Sequence, residues 1–138
     1  MTHQTLDQRV ASFLDGDLFA VAGASNERRK FGNKVLRCYM QAGREAYPVN
    51  PNEAEVEGLT AYPTLDALPR RPHGLSIITP PSITEGIVRS AVELGIRHIW
   101  IQPGAVHPGA VRMAAERGVN VIAGDACILV VLGFREHG

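Results

Sequence analysis

The run Leu18-Phe19-Ala20-Val21-Ala22-Gly23-Ala24-Ser25-Asn26 decides the fold. Its first five residues are apolar without interruption, which reads as a strand buried on both faces. Gly23 ends the run and allows a sharp turn. Downstream, Gly32 to Gln41 carries Val35, Leu36, Tyr39 and Met40 at helical spacing, and Gly43 closes that helix. Ala46-Tyr47-Pro48-Val49 is a second strand, which Pro48 places at a sheet edge or a strand end.

The same order of elements continues along the chain. Leu75–Thr79 reads as a strand. Ser82-Ile83-Thr84-Glu85 predicts a capping box, in which the serine hydroxyl and the glutamate carboxylate satisfy helix-end amides. The helix that follows runs to Leu94 and stops at Gly95. His98-Ile99-Trp100-Ile101 is the next strand. Pro108 suits the first turn of a helix that stops at Gly118, and Val119–Ile122 is the last clear strand. Strands alternating with helices through short connections mean a mostly parallel α/β sheet, with helices on both faces and right-handed crossovers. Thr5–Leu14 predicts an extra helix before the first strand. Asn52–Pro63 is irregular, with a weak edge strand over Thr60–Tyr62 of unassigned direction.

Composition agrees with one domain spanning 1–138. A chain of 138 residues and 14.9 kDa buries roughly two thirds of its unfolded surface, enough to fold without disulfides or a structural metal. Hydrophobic residues at 45% and charged residues at 20% are ordinary for a globular protein. Fourteen basic residues balance fourteen acidic ones, so no global field holds DNA or an anionic membrane. Aromatics at 6% are sparse for stacking on single strands. The longest apolar stretch, Cys127–Phe134, is far short of the roughly 20 residues of a membrane-spanning helix. The polar start Met1-Thr2-His3-Gln4 lacks the pattern of a signal peptide. Cys38 and Cys127 form no Cys-x-x-Cys. The expectation is a reduced, cytoplasmic protein with free thiols.

In an open parallel sheet, ligands bind beyond the carboxyl ends of the strands, at the topological switch point. The loops there are Gly23-Ala24-Ser25-Asn26, Asn50-Pro51-Asn52, Thr79-Pro80-Pro81-Ser82 and Gln102-Pro103-Gly104. In the first, small residues let a ligand approach the main chain, and the following helix aims amides and its positive dipole end at it. Arg28, Arg29, Lys30, Lys34 and Arg37 cluster here, including both lysines of the chain. Cations near a helix amino end oppose the dipole, a cost that a bound polyanion offsets. The bland alternative is a solvated basic loop. The run is not the dinucleotide fingerprint Gly-x-Gly-x-x-Gly, since only Gly23 of its three glycines is present. Val49-Asn50-Pro51 also lacks the acidic residue that grips the ribose of NAD after the second strand.

Taken in order, Val21–Asn26, Lys30-Phe31-Gly32-Asn33-Lys34-Val35, Tyr47-Pro48-Val49-Asn50-Pro51, Ile78-Thr79-Pro80-Pro81, Ile99–Gly104 and Asp125-x-Cys127 resemble the stand-alone CoA-binding protein family. That family is similar to the amino-terminal domain of the succinyl-CoA synthetase alpha subunit. The resemblance implies a Rossmann-like, doubly wound fold that binds coenzyme A, free or acylated. By that analogy the Gly23–Asn26 loop holds the pyrophosphate. Asn50, Pro51 and the adjacent basic residues lie near the 3′-phosphate. Thr79–Ser82 and Gln102–Gly104 flank the adenosine or the pantetheine arm. Members often carry lysine directly after the Val-Asn-Pro turn, where this chain has Asn52. Arg28, Arg29, Lys30 or Lys34 is left to supply that charge.

No catalytic constellation accompanies the loops. His3, His73, His98, His107 and His137 show no metal spacing. His107, before Pro108, is expected to cap a helix or to face solvent, with an approach to the ligand as the alternative. Gly-Ala-Ser-Asn is not a nucleophile elbow, so Ser25 reads as a phosphate ligand or a cap. Glu53, Glu55 and Glu57 read as a solvated face. Trp100 and Cys38 read as core residues. Cys127 reads as a packing residue, with a thiol beside that of CoA as the alternative. The expectation is a non-catalytic CoA-binding domain with no nucleic acid or membrane partner, and with room for a partner enzyme chain. The alternatives are an NAD(P)-dependent oxidoreductase or redox sensor, and a subunit of a split acyl-CoA synthetase.

Overall fold

A computed structural model describes residues 4–124 and 126–136. His3, Asp125 and His137, named above, lie outside the described residues. Five parallel strands form the sheet: β1 (Leu18–Ala22), β2 (Glu45–Val49), β5 (Gly74–Ile77), β6 (His98–Ile101) and β7 (Asn120–Ala123), in the order β2-β1-β5-β6-β7. β2 is an edge strand, which accommodates Pro48. The helices are α1 (Leu6–Leu14), α2 (Phe31–Gln41), α3 (Pro81–Glu93), α4 (Pro108–Glu116) and α5 (Ile128–Val131). This is the Rossmann-like α/β fold read from the sequence. No helix among the described residues is long and apolar enough to cross a membrane.

Alternation along each strand divides the core into two layers. Ala20, Ala22, Leu75, Ile77, Ile99, Ile101 and Val121 face one way and pack on Val88 and Ala91 of α3 and Ala110 and Ala114 of α4. Phe19, Val21, Trp100 and Ile122 face the other way, onto Phe13 of α1, Val35, Leu36 and Tyr39 of α2 and Ile128 of α5. Ser76 is the buried polar residue on that second face, and its hydroxyl pairs with Tyr39 Oη at 2.6 Å. Burial pushes the Tyr39 phenol well above its ordinary pKa. Trp100 is fully buried, as expected, and donates Nε1–H to the Ala126 carbonyl at 3.0 Å.

Two local readings need correction. Ser82 is not a cap, because α3 starts at Pro81 with Pro80 at its N-cap and no side-chain cap bond. Proline's fixed φ and missing N–H suit the first helical turn, so the helix begins before the serine. The Thr84 hydroxyl then turns back on the Thr79 hydroxyl at 2.8 Å and the Pro80 carbonyl at 3.2 Å. The irregular stretch contains an unexpected antiparallel hairpin, β3 (Glu55–Val56) and β4 (Leu59–Thr60). Its tight turn uses Glu57 at φ 51° and Gly58 at φ 80°, the left-handed pair of a two-residue hairpin. Thr60 therefore pairs within the hairpin, whereas Tyr62 bridges parallel to Val49 at the end of β2.

Candidate functional site

The chain reverses its direction of travel across the sheet between β1 and β5, since β2 lies on one side of β1 and β5 to β7 on the other. A crevice opens there at the carboxyl ends. Gly23 makes the turn out of β1 at φ 95°. A Cβ on Gly23 would stand 2.2 Å from the Ile78 carbonyl oxygen, so the loop touches the end of β5 through bare backbone. Gly32, in the first turn of α2, meets the loop from the other side, where its Cβ would lie 2.0 Å from the Gly23 carbonyl oxygen. Gly32 thus performs the close helix-to-strand packing of a nucleotide-binding glycine, at longer spacing than the fingerprint allows.

Amides and carboxylates hold the loop. Asn50 Nδ2 donates to the Ala24 carbonyl at 2.7 Å, while Asn50 Oδ1 accepts from the Asn52 N–H at 2.8 Å. Asn33, fully buried, donates Nδ2 to the Ser25 carbonyl at 2.8 Å and to Glu57 at 3.0 Å, and accepts from Arg37 Nε at 2.6 Å. Asn26 Nδ2 donates to Glu53 at 2.7 Å and to the Glu55 carbonyl at 2.8 Å. The hairpin is thereby strapped onto the loop. Glu53 and Glu57 are half-buried anchors and not the solvated face read from the sequence. The Ser25 hydroxyl accepts from the Glu27 N–H at 3.1 Å, a turn within the loop. It does not cap α2, whose N-cap is Lys30 without a side-chain bond.

The basic cluster is largely ion-paired. Arg28 lies 3.3 Å from Glu57, Lys30 2.6 Å from Glu27, and Lys34 and Arg37 lie 3.8 and 3.3 Å from Glu136. The hydrogen bond and charge of Lys30 hold the Glu27 carboxyl below its ordinary pKa. Arg37 is buried and structural, bonding Asn33 and the Arg28 carbonyl. Arg28, Arg29 and Lys30 are exposed, and Lys34 is half-buried.

A cavity of about 650 Å³ fills the crevice, lined by Gly23, Asn50, Pro51, Thr79 and Pro80 together with Thr64, Leu65, Asp66, Ile83, Gly86, Ile87 and Ser90. That volume falls in the range of small-molecule sites. Its walls are mostly apolar, and Asp66 is their one charged residue. Of the residues expected from the sequence, Gly23, Asn50, Pro51, Thr79, Pro80 and Ser82 meet on it. Ala24 is buried behind the loop. Ser25, Asn26, Arg28, Arg29, Lys30 and Lys34 lie beyond Gly23, off the cavity wall. Pro81 starts α3. Gln102, Pro103 and Gly104 are also off the wall. Gln102 is fully buried, its Oε1 accepting from the Ile128 N–H at 3.2 Å. The sequence reading missed the α3 wall. Ile83, Gly86, Ile87 and Ser90 recur with the i, i+3, i+4, i+7 period of one helix face. Gly86, which weakens a helix interior, was the available signal.

The residues with catalytic appearance are otherwise engaged. His107 caps α4, its Nδ1 accepting from the Ala110 N–H at 3.1 Å, as expected. Cys38 is buried in α2 and its thiol is pushed up to about 11, first by burial and then by Cys127. Cys127 is half-buried at the N-cap of α5.

Residues 17–133 match a family described as a CoA binding domain. An acetate–CoA ligase (ADP-forming) II subunit alpha from Pyrococcus furiosus is 31% identical over 83 residues, which are 59% of this chain and 18% of the ligase subunit. The chain therefore corresponds to a small part of that enzyme. The uncharacterized protein YneT of Bacillus subtilis is 29% identical over 111 residues, covering 80% of this chain and 82% of YneT. Among solved structures, a conserved hypothetical protein from Pyrococcus furiosus superposes with a TM-score of 0.78 at 34% identity, over 84% of this chain and 99% of that one.

Proposed function

The chain belongs to the CoA-binding domain family, and from that premise we propose that it binds coenzyme A or an acyl-CoA non-covalently and catalyses no reaction by itself. One observation carries the reading: an apolar cavity at the switch point opens beside a bare-backbone turn, with uncapped helix amides and cations just beyond it. CoA has matching parts. Its flat adenine suits the apolar slot between Pro51, Thr79 and α3. Asp66 accepts hydrogen bonds from the adenine amino group or the ribose hydroxyls. The pyrophosphate runs along Gly23–Asn26 toward the amino end of α2. Lys30 and Lys34 exchange their carboxylate partners for phosphate, and Arg28 and Arg29 add to the positive field. Thr79–Pro81 and, beyond the cavity wall, the exposed Pro103 and Gly104 border the path of the pantetheine arm.

The non-catalytic part rests on how the reactive side chains are spent. Ser25 stabilises a turn, His107 caps a helix, and Glu53 and Glu57 anchor the hairpin. A second reading makes the chain the CoA-binding piece of a two-chain ligase. Its support is the likeness to the Pyrococcus ligase subunit.

The test is calorimetric titration with CoA, NAD+ and NADP+ side by side. Saturable binding of CoA alone is expected. Binding of a nicotinamide cofactor in its place would assign the cavity, with Asp66 on the ribose, to an oxidoreductase. Co-purification with a ligase chain, and acyl-CoA synthesis only by the pair, would favour the two-chain reading.

A further inference from the structure

A second concavity lies at the opposite end of the sheet. Where β1, β5 and β6 begin, a cavity of about 370 Å³ is lined by Arg70, Arg71, Arg97, His73, His98 and Asp17, with backbone between them. Three arginines thus line it against one carboxylate. Arg70 has an exposed partner, Glu45 at 3.7 Å, and such a pair contributes little. Arg97 spends one donor on the Gly118 carbonyl at 3.2 Å. Arg71 has no hydrogen-bond or ion-pair partner among the described residues.

Helix capping does not account for these donors. α3 and α4 both end here, and each is closed by its own backbone. Gly95 N–H and Ile96 N–H bond the Val92 and Ala91 carbonyls at 3.1 and 3.0 Å, and Gly118 N–H and Val119 N–H bond Ala115 and Ala114, both at 3.0 Å. The negative ends of the helix dipoles explain why cations gather here. They leave the Arg71 fork and the remaining Arg97 donors unused, and such forks match an oxyanion two bonds at a time.

The imidazoles add a second feature. The rings of His73 and His98 stack with centroids 4.3 Å apart. His73 Nε2 lies 2.9 Å from the Ser12 carbonyl, which only accepts, so this nitrogen carries the proton. Asn120 Nδ2 bonds the Arg9 carbonyl at 2.9 Å, which orients the amide, and it also meets His98 Nδ1 at 3.1 Å. His98 Nδ1 is therefore the acceptor. His73 Nδ1 and His98 Nε2 have no partner among the described residues. Burial, His73 and Arg97 all hold His98 below its ordinary pKa. His98 is thus held toward its neutral form beside a cationic rim, with its Nε2–H open to the cavity.

We propose that this cavity is a second binding site, for a compact phosphate-class oxyanion of at least two charges, such as pyrophosphate or a phosphate monoester. It is separate from the CoA cavity, being at the other end of the same strands. The guanidinium groups of Arg71 and Arg97 grip the oxyanion, His98 Nε2–H donates to it, and the stacked His73 ring reports its arrival.

The test is a pyrophosphate titration followed by the imidazole proton resonances of His73 and His98, with sodium chloride at matched ionic strength as control. A saturable shift of both resonances is expected with pyrophosphate and not with chloride. Arg71→Ala/Arg97→Ala should weaken it at least tenfold, whereas Lys30→Ala/Lys34→Ala should leave it unchanged. Both altered arginines are exposed, and an unchanged melting temperature would verify that the fold is kept. Absence of a saturable shift, an equal response to chloride, or an arginine variant that binds like the parent would each overturn the proposal. Repeating the titration with a phosphate monoester and with malonate separates phosphate from carboxylate recognition. Tighter binding of malonate would overturn the phosphate assignment.

Discussion

Gly32→Ala tests the contact on which the candidate site is built. In an ordinary helix this change stabilises, because alanine exceeds glycine by about 1 kcal/mol in helix propensity. Here the new Cβ would stand 2.0 Å from the Gly23 carbonyl oxygen. The clash is between two stretches of backbone, and no flexible side chain can swing aside. Gly23 cannot retreat either, because its amide bonds the Val49 carbonyl at 3.1 Å and its own Cβ position faces Ile78 at 2.2 Å. The amino end of α2 must move away by about 1 Å to restore contact distance. Overpacking costs about 1–3 kcal/mol, and a clash between two rigid stretches of backbone falls in the upper part of that range, about 2–3 kcal/mol. Against the propensity gain, the balance is a net loss of roughly 1–2 kcal/mol. For a chain of this size that lowers the melting temperature by roughly 3–10 °C. Gly86→Ala is the matched control. It too is helical, but no atom lies within 4 Å of the new Cβ, so about 0.5–1 kcal/mol of stabilisation is expected. The assay is thermal unfolding by circular dichroism, with CoA titration of the folded variants. Gly32→Ala should melt lower and bind CoA more weakly, while Gly86→Ala should melt higher. A Gly32→Ala protein that melts at or above the parent would refute the close packing of α2 on the turn.

Four further outcomes are expected. Gly86→Leu should keep the fold and weaken CoA at least about tenfold, because its side chain occupies the cavity; unchanged affinity by calorimetry would remove the cavity from the site. Ser25→Tyr should block CoA by crowding the loop, and Lys30→Ala/Lys34→Ala should weaken CoA more than 3′-dephospho-CoA. Equal losses for the two ligands would take the 3′-phosphate away from these lysines. Finally, Cys38 is pushed up to about 11 from 9.0 in the folded chain, so the unfolded thiol ionises first as pH rises. Stability held below pH 9 should decline from there toward pH 11, where the buried Tyr39 adds to the loss. Denaturant midpoints of Cys38→Ala should decline less steeply, and an identical slope would deny Cys38 that part.

Much of the architecture was legible because the signals were local. β1 and β6 follow from uninterrupted apolar runs, and their limits match the expected ones. The stops at Gly43, Gly95 and Gly118 follow from glycine in the left-handed conformation at a helix end, with φ of 71°, 80° and 77°. The readings that failed depend on competition between neighbours. Ser82 had the right spacing for a cap, but Pro81 had already started the helix. The β3–β4 hairpin is too short to leave a periodic signal, and its turn places Glu57, not the more usual asparagine, in the left-handed region.

By itself the sequence determined the α/β class, the parallel sheet, the turn at Gly23 and the family to which the chain belongs. These follow from patterns that span one element and its two ends, and from blocks read in order. Only the tertiary structure decided what those blocks do to each other. It set Gly32 against Gly23, turned Glu53 and Glu57 from solvent into the frame of the loop, and built one wall of the cavity from α3. It also gathered Arg71, Arg97 and the histidine pair at the far end of the sheet. The reason is physical. Hydrophobic period reports which face of an element is buried, whereas a site is made where several elements end, and their relative placement is fixed by packing across the whole core.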